Sequence, residues 1–383
     1  MATYKGINGF AVQSVASDPS PLDEGQVWYN NATYAFKLAA FVAVNAWASG
    51  GNLGTARYAL SGTGTQTAAL GVGGYTAGVY YTNTELYNGT SWTANPTGLT
   101  TARGYNGQAG SQTATLTFGG STSPAPYGVT NVESFNGTTW TSSPALPAAR
   151  SGCGSCGIQT AALNFAGFNG PAVYSNITES WNGSAWTSSP NSLNTPRFYL
   201  AGSGTQTAAL AFGGRIPPTF SPTFTLTNSE SWNGTSWTAT PTLNTAINSA
   251  IGFGTQTATI KTTGRLQPAS PSTFSTATES WNGTSWTSVN STNTSRQAGG
   301  GAGNQTAGII FGGSNPGVTG ATELWNGTSW TTNPNSLATA RQFLAGGGTQ
   351  TSALGFGGTD TAVFANTEEW TGTVLATRTI TTS

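Results

Sequence analysis

Two short phrases of apolar residues set between Gly, Ser, Thr and Asn alternate along the chain. One is "GTQTAALAFGG" from Gly204 with its variants, and the other is "ESWNGTSWT" from Glu230 with its variants. Short strands joined by tight turns give this pattern. The Gln of the first phrase recurs at Gln66, Gln112, Gln159, Gln206, Gln256, Gln305 and Gln350. The steps between these positions are 46, 47, 47, 50, 49 and 45 residues, so the chain carries seven copies of one unit.

Each unit contains four predicted strands. Strand A is the small-residue run before the Gln, such as "FLAGGG" from Phe343, and "TQT" is a turn. Strand B is "AALAFGG", strand C is "TESW", and strand D carries the second Trp. The "NG" between strands C and D predicts a two-residue hairpin turn, in which both residues have positive φ. A repeat of this length with four strands is typical of a propeller blade.

The Gly pair that closes strand B, the aromatic residue on strand C and the Trp on strand D resemble kelch repeats at this spacing. The resemblance runs from Ala39 to the C-terminus and implies a seven-bladed all-β propeller of four-stranded antiparallel blades. It implies little about function, because propellers serve many functions. The lead-in "DPSPLDEGQVWYNNATYAFKLAAF" and the near-identity of the copies also resemble structural proteins of tailed bacteriophages, which place such a segment before a repeat domain.

The two ends of the chain differ from the regular repeats. Residues 1–38 lack the repeat and predict a separate attachment or oligomerisation segment, with a short β-hairpin in "GQVWYNNATYAFKL", while residues 39–383 form the propeller. A lone hairpin is marginally stable, so this segment should contact other chains, most simply its own copies. The last repeat lacks a second Trp, and Trp47 stands where that Trp belongs. We therefore expect Phe41–Trp47 to form the outer strand of the last blade, with "VLATRTI" beside it or replacing it.

The amino-acid composition argues against several classes of function. Charged residues make up 6% of the chain and the formal net charge is zero, which argues against a nucleic-acid surface. There is no His, the commonest general base and metal ligand. No apolar core of a signal peptide and no membrane-spanning run is visible. We expect no cofactor, no metal and no membrane insertion.

Most charged residues fall at two repeated positions, which predicts a structural ring. A Glu precedes the aromatic residue of strand C in all seven repeats, and an Arg stands nine residues before the Gln in six of them, with Ile247 in the fifth. We expect Arg–Glu pairs between tightly packed strands; the alternative is a ring of Arg around an anion-binding channel. The residues are Arg57, Arg103, Arg150, Arg197, Arg296, Arg341, Glu85, Glu133, Glu179, Glu230, Glu279, Glu323 and Glu368.

The longest B–C loops, in the fourth and fifth repeats, break the pattern. They hold Phe residues near basic residues, which suits a partner or glycan surface on the face that B–C and D–A loops share. Loops that only cover a neighbouring blade are an equal alternative. The candidate binding residues are Arg215, Phe220, Phe224, Lys261, Arg265 and Phe274.

No catalytic constellation is recognisable. Asp360 and Glu369 are a poor carboxylate pair for a glycosidase. Cys153 and Cys156 lack further Cys or His for zinc, and residues three apart on a strand face opposite sides, so a disulfide is disfavoured. The repeated aromatic residues, such as Phe212, Trp232 and Trp237, are expected in the core between blades, although sugar stacking is an alternative for the outer Trp.

Together these observations predict a non-catalytic structural and adhesive virion protein, a phage tail fibre or similar appendage. Its partners would be other virion proteins through residues 1–38, its own copies, and a host-surface receptor or glycan at the loop face. The alternatives are a secreted bacterial adhesin or lectin at the cell surface and, less favoured, a propeller hydrolase.

Overall fold

A computed structural model describes residues 12–122, 128–170, 173–216, 225–266 and 273–380, and every regular element in those ranges is a strand. No helix in the described ranges is long and apolar enough to cross a membrane. The chain divides into two compact units. The terminal unit comprises Met1–Ala46 with Thr371–Ser383, and the repeat unit comprises Trp47–Trp370. Residues 371–383 thus belong to the same unit as the N-terminal residues.

The strands follow the repeats. Before the repeats lie β1 Gln13–Val15, β2 Val27–Asn30 and β3 Ala35–Ser49. The first repeat holds β4 Ser61–Thr65, β5 Ala68–Val72, the loop strands β6 Tyr75–Thr76 and β7 Val79–Tyr80, β8 Thr84–Tyr87 and β9 Trp92–Ala94. The next four repeats hold β10 Gly107–Gly110, β11 Thr115–Phe118, β12 Val132–Phe135, β13 Trp140–Ser143, β14 Gly154–Ile158, β15 Ala161–Phe165, β16 Thr178–Trp181, β17 Trp186–Ser188, β18 Ala201–Gly204, β19 Ala209–Phe212, β20 Ser229–Trp232, β21 Trp237–Ala239, β22 Ile251–Gly254, β23 Thr259–Thr262, β24 Thr278–Trp281 and β25 Trp286–Val289. The last two repeats hold β26 Gly300–Gly303, β27 Gly308–Phe311, the loop strands β28 Ser314–Asn315 and β29 Gly317–Val318, β30 Thr322–Trp325, β31 Trp330–Asn333, β32 Ala345–Gly348, β33 Ser352–Phe356 and β34 Thr367–Thr379.

These strands build a β-propeller with six four-stranded antiparallel blades in the described residues, so the expectation of seven such blades is wrong. Each blade follows the order A–B–C–D of the sequence, as in β18-β19-β20-β21. The last repeat has no fourth strand of its own. Its strands lie instead in a six-stranded sheet of order β1-β2-β3-β34-β33-β32, and the inner strand β32 lies between β26 and β4.

The last repeat takes its outer strand from the N-terminal part of the chain. Strand β3, which contains Phe41–Trp47, lies next to β34 in the sheet order, so the predicted strand pairing is confirmed. The ring of Trp47 lies 5.5 Å from that of Trp370. The segment "VLATRTI" continues β34 rather than forming a further strand.

The aromatic residues of the phrases form the core between blades, as predicted. Phe212, Trp232 and Trp237 are buried. The strand-B Phe of one blade contacts the strand-D Trp of the next, as where Phe165 and Trp237 lie 5.1 Å apart. Because these side chains are buried between sheets, the alternative interpretation as sugar-stacking platforms is not supported for them.

The "TQT" turn does more than reverse the chain. The side-chain amide of Gln112 donates to the carbonyl oxygens of Ala69 (3.0 Å) and Tyr87 (2.5 Å) in the preceding blade. In the same way, Gln66 donates to the carbonyl oxygen of Trp370 (2.7 Å) in the last repeat. The Gln recurs because it hydrogen-bonds one blade to its predecessor.

The C–D connection differs from the predicted two-residue turn. Four residues, Asn-Gly-Thr-Ser, separate Tyr87 from its strand partner Trp92. The side-chain oxygen of Asn88 accepts the backbone N–H groups of Thr90 and Ser91, which forms an Asx turn. Only the Gly of the pair needs a positive φ (92° at Gly89), because the Asn side chain supplies the turn's hydrogen bonds.

A second hydrogen bond links neighbouring repeats. The indole Nε1 of the strand-D Trp donates to a Thr or Ser hydroxyl on strand C of the preceding repeat, at 2.7–3.0 Å. The pairs are Trp92–Thr367, Trp140–Thr84, Trp237–Thr178, Trp286–Ser229, Trp330–Thr278 and Trp47–Thr322. In the third repeat the acceptor position is Val132, and the buried Nε1 of Trp186 has no partner among the described residues.

We therefore expect the Val132→Thr substitution to raise the free energy of unfolding by about 1 kcal/mol, the usual net contribution of one hydrogen bond. Denaturant unfolding of the full chain measures the change. In a Trp186→Phe background, which has no indole donor, the same substitution should give no gain. A V132T protein that is less stable than the wild type would show that the hydroxyl does not reach the indole.

The terminal unit contains the predicted hairpin and one strand more. Strands β2 and β3 are antiparallel, with Val27 opposite Leu38, and β1 pairs parallel to β2. Trp28 is fully buried, and its Nε1 donates to the carboxylate of Asp18 (3.0 Å). Hydrogen bonds from Asn30 and Trp28 hold the pKa of Asp18 below its ordinary value.

Candidate functional site

The repeated Arg and Glu form buried ion pairs inside the blades. The pairs are Arg57–Glu85 (2.9 Å), Arg103–Glu133 (3.1 Å), Arg150–Glu179, Arg197–Glu230 (3.0 Å), Arg296–Glu323 (2.5 Å) and Arg341–Glu368 (2.5 Å). No side chain in them is more than 4% exposed. These Arg do not project into an open channel, so the repeated charges form no anion site.

Each Glu also holds the loop between strands D and A. Glu230 accepts the backbone N–H of Asn194 (2.8 Å), and Glu85 accepts that of Gly54 (2.6 Å). The carboxylate therefore joins strand C to both the Arg and the loop that precedes it. Burial lowers the pKa of Arg197 to about 10 against the opposing effect of Glu230, so the guanidinium stays charged at neutral pH.

In the fifth repeat, Lys261 supplies the missing cation. It lies directly opposite Glu279 in the sheet, and its Nζ is 3.1 Å from the Glu279 carboxylate. Glu279 accepts the N–H of Asn244, as the other Glu accept loop amides, but it is neither unpaired nor closer to solvent. The interpretation of Lys261 as a loop-face residue is therefore wrong, because it lies fully buried on β23. The sequence did contain a signal for this role, because Lys261 occurs in the same repeat in which Ile247 replaces the Arg.

A ring of seven equivalent residues lies at the other end of strand A from the Gln turn. Each stands seven residues before a Gln and has a φ of 51–60°, the left-handed region that residues other than Gly rarely adopt. The ring residues are Ala59, Tyr105, Gly152, Tyr199, Ser249, Ala298 and Phe343. Sequence reasoning missed this ring; its signal was an aromatic residue in three repeats where the others have a small one.

Main-chain hydrogen bonds connect the ring residues. The N–H of Tyr105 donates to the carbonyl of Ala59 (3.0 Å), and the N–H of Ala59 donates to that of Phe343 (3.1 Å) across the junction of the first and last repeats. The same bond joins Tyr199 to Gly152, Ser249 to Tyr199, and Phe343 to Ala298. A left-handed residue costs about 1–2 kcal/mol, and these bonds offset part of that cost.

The ring residues surround the axis of the repeat unit and line two adjoining cavities. The larger, of about 440 Å³, is lined by every ring residue except Ala59, and the smaller, of about 320 Å³, by every one except Ser249. Together they are called the axial cavity. In the larger part Arg215, Arg265, Asn248 and Gln297 contribute polar lining, and in the smaller part Ser61 and Asn106 do.

Short antiparallel bridges place these polar residues beside the ring. Phe198 pairs with Arg215, and Asn248 pairs with Arg265. Phe198 and Asn248 each come immediately before a ring residue in the chain. The residue after the strand-B Gly pair is thereby fixed next to the axis. The Gly pair permits this path because both of its positions have positive φ, 63° and 101° at Gly213 and Gly214.

Aromatic side chains crowd the same face. The Tyr58 ring lies 6.2 Å from that of Phe343 and 5.2 Å from that of Tyr75, which lies 4.8 Å from that of Tyr80. A second cluster joins Tyr199 to Phe168, Tyr174 and Phe198, and the Arg215 guanidinium lies 5.1 Å over the Phe198 ring.

Burial raises the pKa of Tyr105 and of Tyr199. Their hydroxyl groups therefore stay protonated at physiological pH and can donate hydrogen bonds. Tyr105, Tyr199 and Phe343 nevertheless remain 37–38% exposed, so that part of each ring is open to a ligand.

The other residues predicted to bind on the loop face do not all lie at the axial cavity. Arg215 and Arg265 line the axial cavity, whereas Phe274 is half-buried and outside its lining. Phe220 and Phe224 lie outside the described residues. Cys153 and Cys156 are half-buried free thiols, and burial raises the pKa of each to about 12, which keeps both protonated at neutral pH.

The comparisons with known proteins bear on the fold. No protein-family model matches the chain, and no curated protein matches it. The solved structure of YjhT is similar, with a TM-score of 0.55, and the match covers 73% of this chain and 96% of that one at 14% identity. This likeness supports the propeller fold and carries no function to the axial cavity.

Proposed function

We propose that this chain is a non-catalytic structural and adhesive protein of a virus particle, a phage tail fibre or similar appendage. The propeller presents the face of its D–A and B–C loops to a receptor or glycan on a host surface. The resemblance of the N-terminal lead-in to phage structural proteins supports the virion assignment. The axial cavity is the observation that supports the proposed adhesive function.

The two ends of the blades differ in chemistry, which supports binding at one face. The D–A and B–C end bears Tyr105 and Tyr199 in the cavity lining and Tyr58 and Tyr75 nearby, and the described residues that line the larger part of the cavity include two Arg and no carboxylate. The opposite end consists of Gln turns and Asn-Gly-Thr-Ser connections, which are short and polar. Partly exposed aromatic residues beside hydrogen-bonding groups are enriched at recognition surfaces.

In this proposal the six-stranded sheet lies between the sixth repeat and the first and completes the ring of repeats. Two links support it: Trp47 donates to Thr322 of the sixth repeat, and Trp92 of the first repeat donates to Thr367. A closed ring would hold the loop face rigid.

The terminal unit attaches the chain to other virion proteins or to its own copies, mainly through residues 1–38. Exposed apolar side chains support this part: Phe36 lies in that segment and is 45% exposed, and Phe41 and Val44, which follow it in the terminal unit, are 57% and 45% exposed. Self-association about a symmetry axis would cover them.

The adhesive function is tested by binding without turnover. The purified chain is incubated with intact bacteria of several surface types and with their isolated envelope polysaccharide, and both binding and release of reducing ends are measured. We expect saturable binding to some cells and no product. Polysaccharide cleavage, or failure to bind any cell type, would contradict the proposal.

A further inference from the structure

We infer that the axial cavity binds a single sugar residue, and that the seven ring residues determine which sugar it accepts. This inference rests on the proposed adhesive function and specifies its site. It follows from one contrast within the ring: the backbone is the same in all repeats, whereas the side chains range from Gly to Tyr.

The backbone of the ring does not depend on its side chains. Ala59, Ser249 and Tyr199 share φ values of 51–52°, although their side chains differ greatly in size. Main-chain hydrogen bonds join neighbouring ring residues at five of the seven steps around the ring. A change of side chain at a ring position can therefore alter the cavity without altering the fold.

The size of each ring residue shapes the cavity. Tyr105, Tyr199 and Phe343 form walls, whereas Gly152 and Ala298 contribute little side-chain bulk and line both parts of the cavity. A larger residue at Gly152 would collide with its surroundings, because an added Cβ would lie 3.0 Å from Phe168 and 3.1 Å from Tyr199. Ala298 is thus the better position at which to change the cavity.

The lining fits a sugar ring better than a peptide segment. The cavity volume of about 440 Å³ is near the lower end of the roughly 300–1,000 Å³ of small-molecule sites. Tyr105, Tyr199 and Phe343 offer aromatic surface for the apolar face of a pyranose. The amide of Gln297 and the guanidinium of Arg215 offer hydrogen bonds for its hydroxyl groups.

The test compares Ala298→Tyr with the wild type. Tyr already occupies the equivalent position in two other repeats, so the variant should fold with an unchanged melting temperature. The probes are galactose, N-acetylglucosamine, rhamnose and galacturonic acid at millimolar concentration, followed by saturation-transfer NMR. We expect the wild type to bind at least one of them, and A298Y to bind it at least about tenfold more weakly.

Thr205→Tyr is the matched control, since Thr205 is exposed in the turn at the other end of strand A, and its sugar binding should equal that of the wild type. Equal sugar binding by A298Y and the wild type would overturn the inference and leave the adhesive function standing. Binding of cells by a wild type that binds none of the four sugars would also overturn the inference alone. Failure to bind both sugars and cells would overturn the inference and the proposed function together.

Discussion

Replacing Arg197 with Met should lower the free energy of unfolding by about 3–5 kcal/mol, the usual cost of removing one partner of a buried ion pair. Arg197 is fully buried and lies 3.0 Å from Glu230. The variant leaves that carboxylate buried with the Asn194 hydrogen bonds but without its cation. Denaturant unfolding of the full chain gives the value, and binding to cells should change only as far as folding does.

Two further proteins make this result specific. Arg378→Met removes an exposed Arg and should change stability by less than about 0.5 kcal/mol. The double variant Arg197→Met, Glu230→Gln removes both charges and should recover part of the loss, because Gln can still accept the Asn194 N–H. An Arg197→Met loss no larger than that of Arg378→Met would contradict the assignment of the repeated charges to the scaffold.

Replacing Lys261 with Ala should cost about as much, 3–5 kcal/mol, for the same reason. Adding Ile247→Arg to this variant should restore most of the loss. The double variant reproduces the fourth repeat, where Ala211 lies opposite Glu230 and the Arg comes from the loop. Thermal and denaturant unfolding of the wild type, the two single variants and the double variant measure the coupling.

Ile247→Arg alone is the control, and it should destabilise the chain because it adds a second buried cation near Glu279. If the double variant is no more stable than Lys261→Ala, then the strand-B and loop positions are not interchangeable sources of the cation. The buried pair of the fifth repeat would then have an origin other than relocation of its positive charge.

The local architecture of the repeat was predictable because the repeat sequence occurs seven times in the chain. The spacing of the Gln residues, the Gly pair and the strand-C phrase indicated four strands for each copy, and the Trp missing from the last copy pointed to Trp47. The six-stranded sheet was not predictable, because β3 and β34 continue past the repeat into residues that carry no repeated phrase. The Asx turn was misread, because the pair Asn-Gly fits two kinds of connection and the following Thr and Ser decide between them.

The proposed binding face was only partly predictable. Arg215 and Arg265 stood out because they break the repeat, but their place beside the axis depends on bridges to Phe198 and Asn248. The ring residues could not be recognised from the sequence, because an Ala, Tyr or Phe does not indicate that the backbone at its position is left-handed. Lys261 was misplaced because a charge outside the repeated positions resembles a surface residue until its partner on the opposite strand is known.

In the proposed function the repeated phrases form a scaffold, and the ring of seven residues, with its flanking loops, makes contact with the host. Hydrogen–deuterium exchange of the full chain, with and without the envelope polysaccharide of a bacterium that it binds, tests this claim most directly. We predict slower exchange in peptides that contain Tyr105, Tyr199, Ala298 and Phe343, and no change in those that contain the Asn-Gly-Thr-Ser connections. Slower exchange confined to those connections or to the terminal unit would contradict the account.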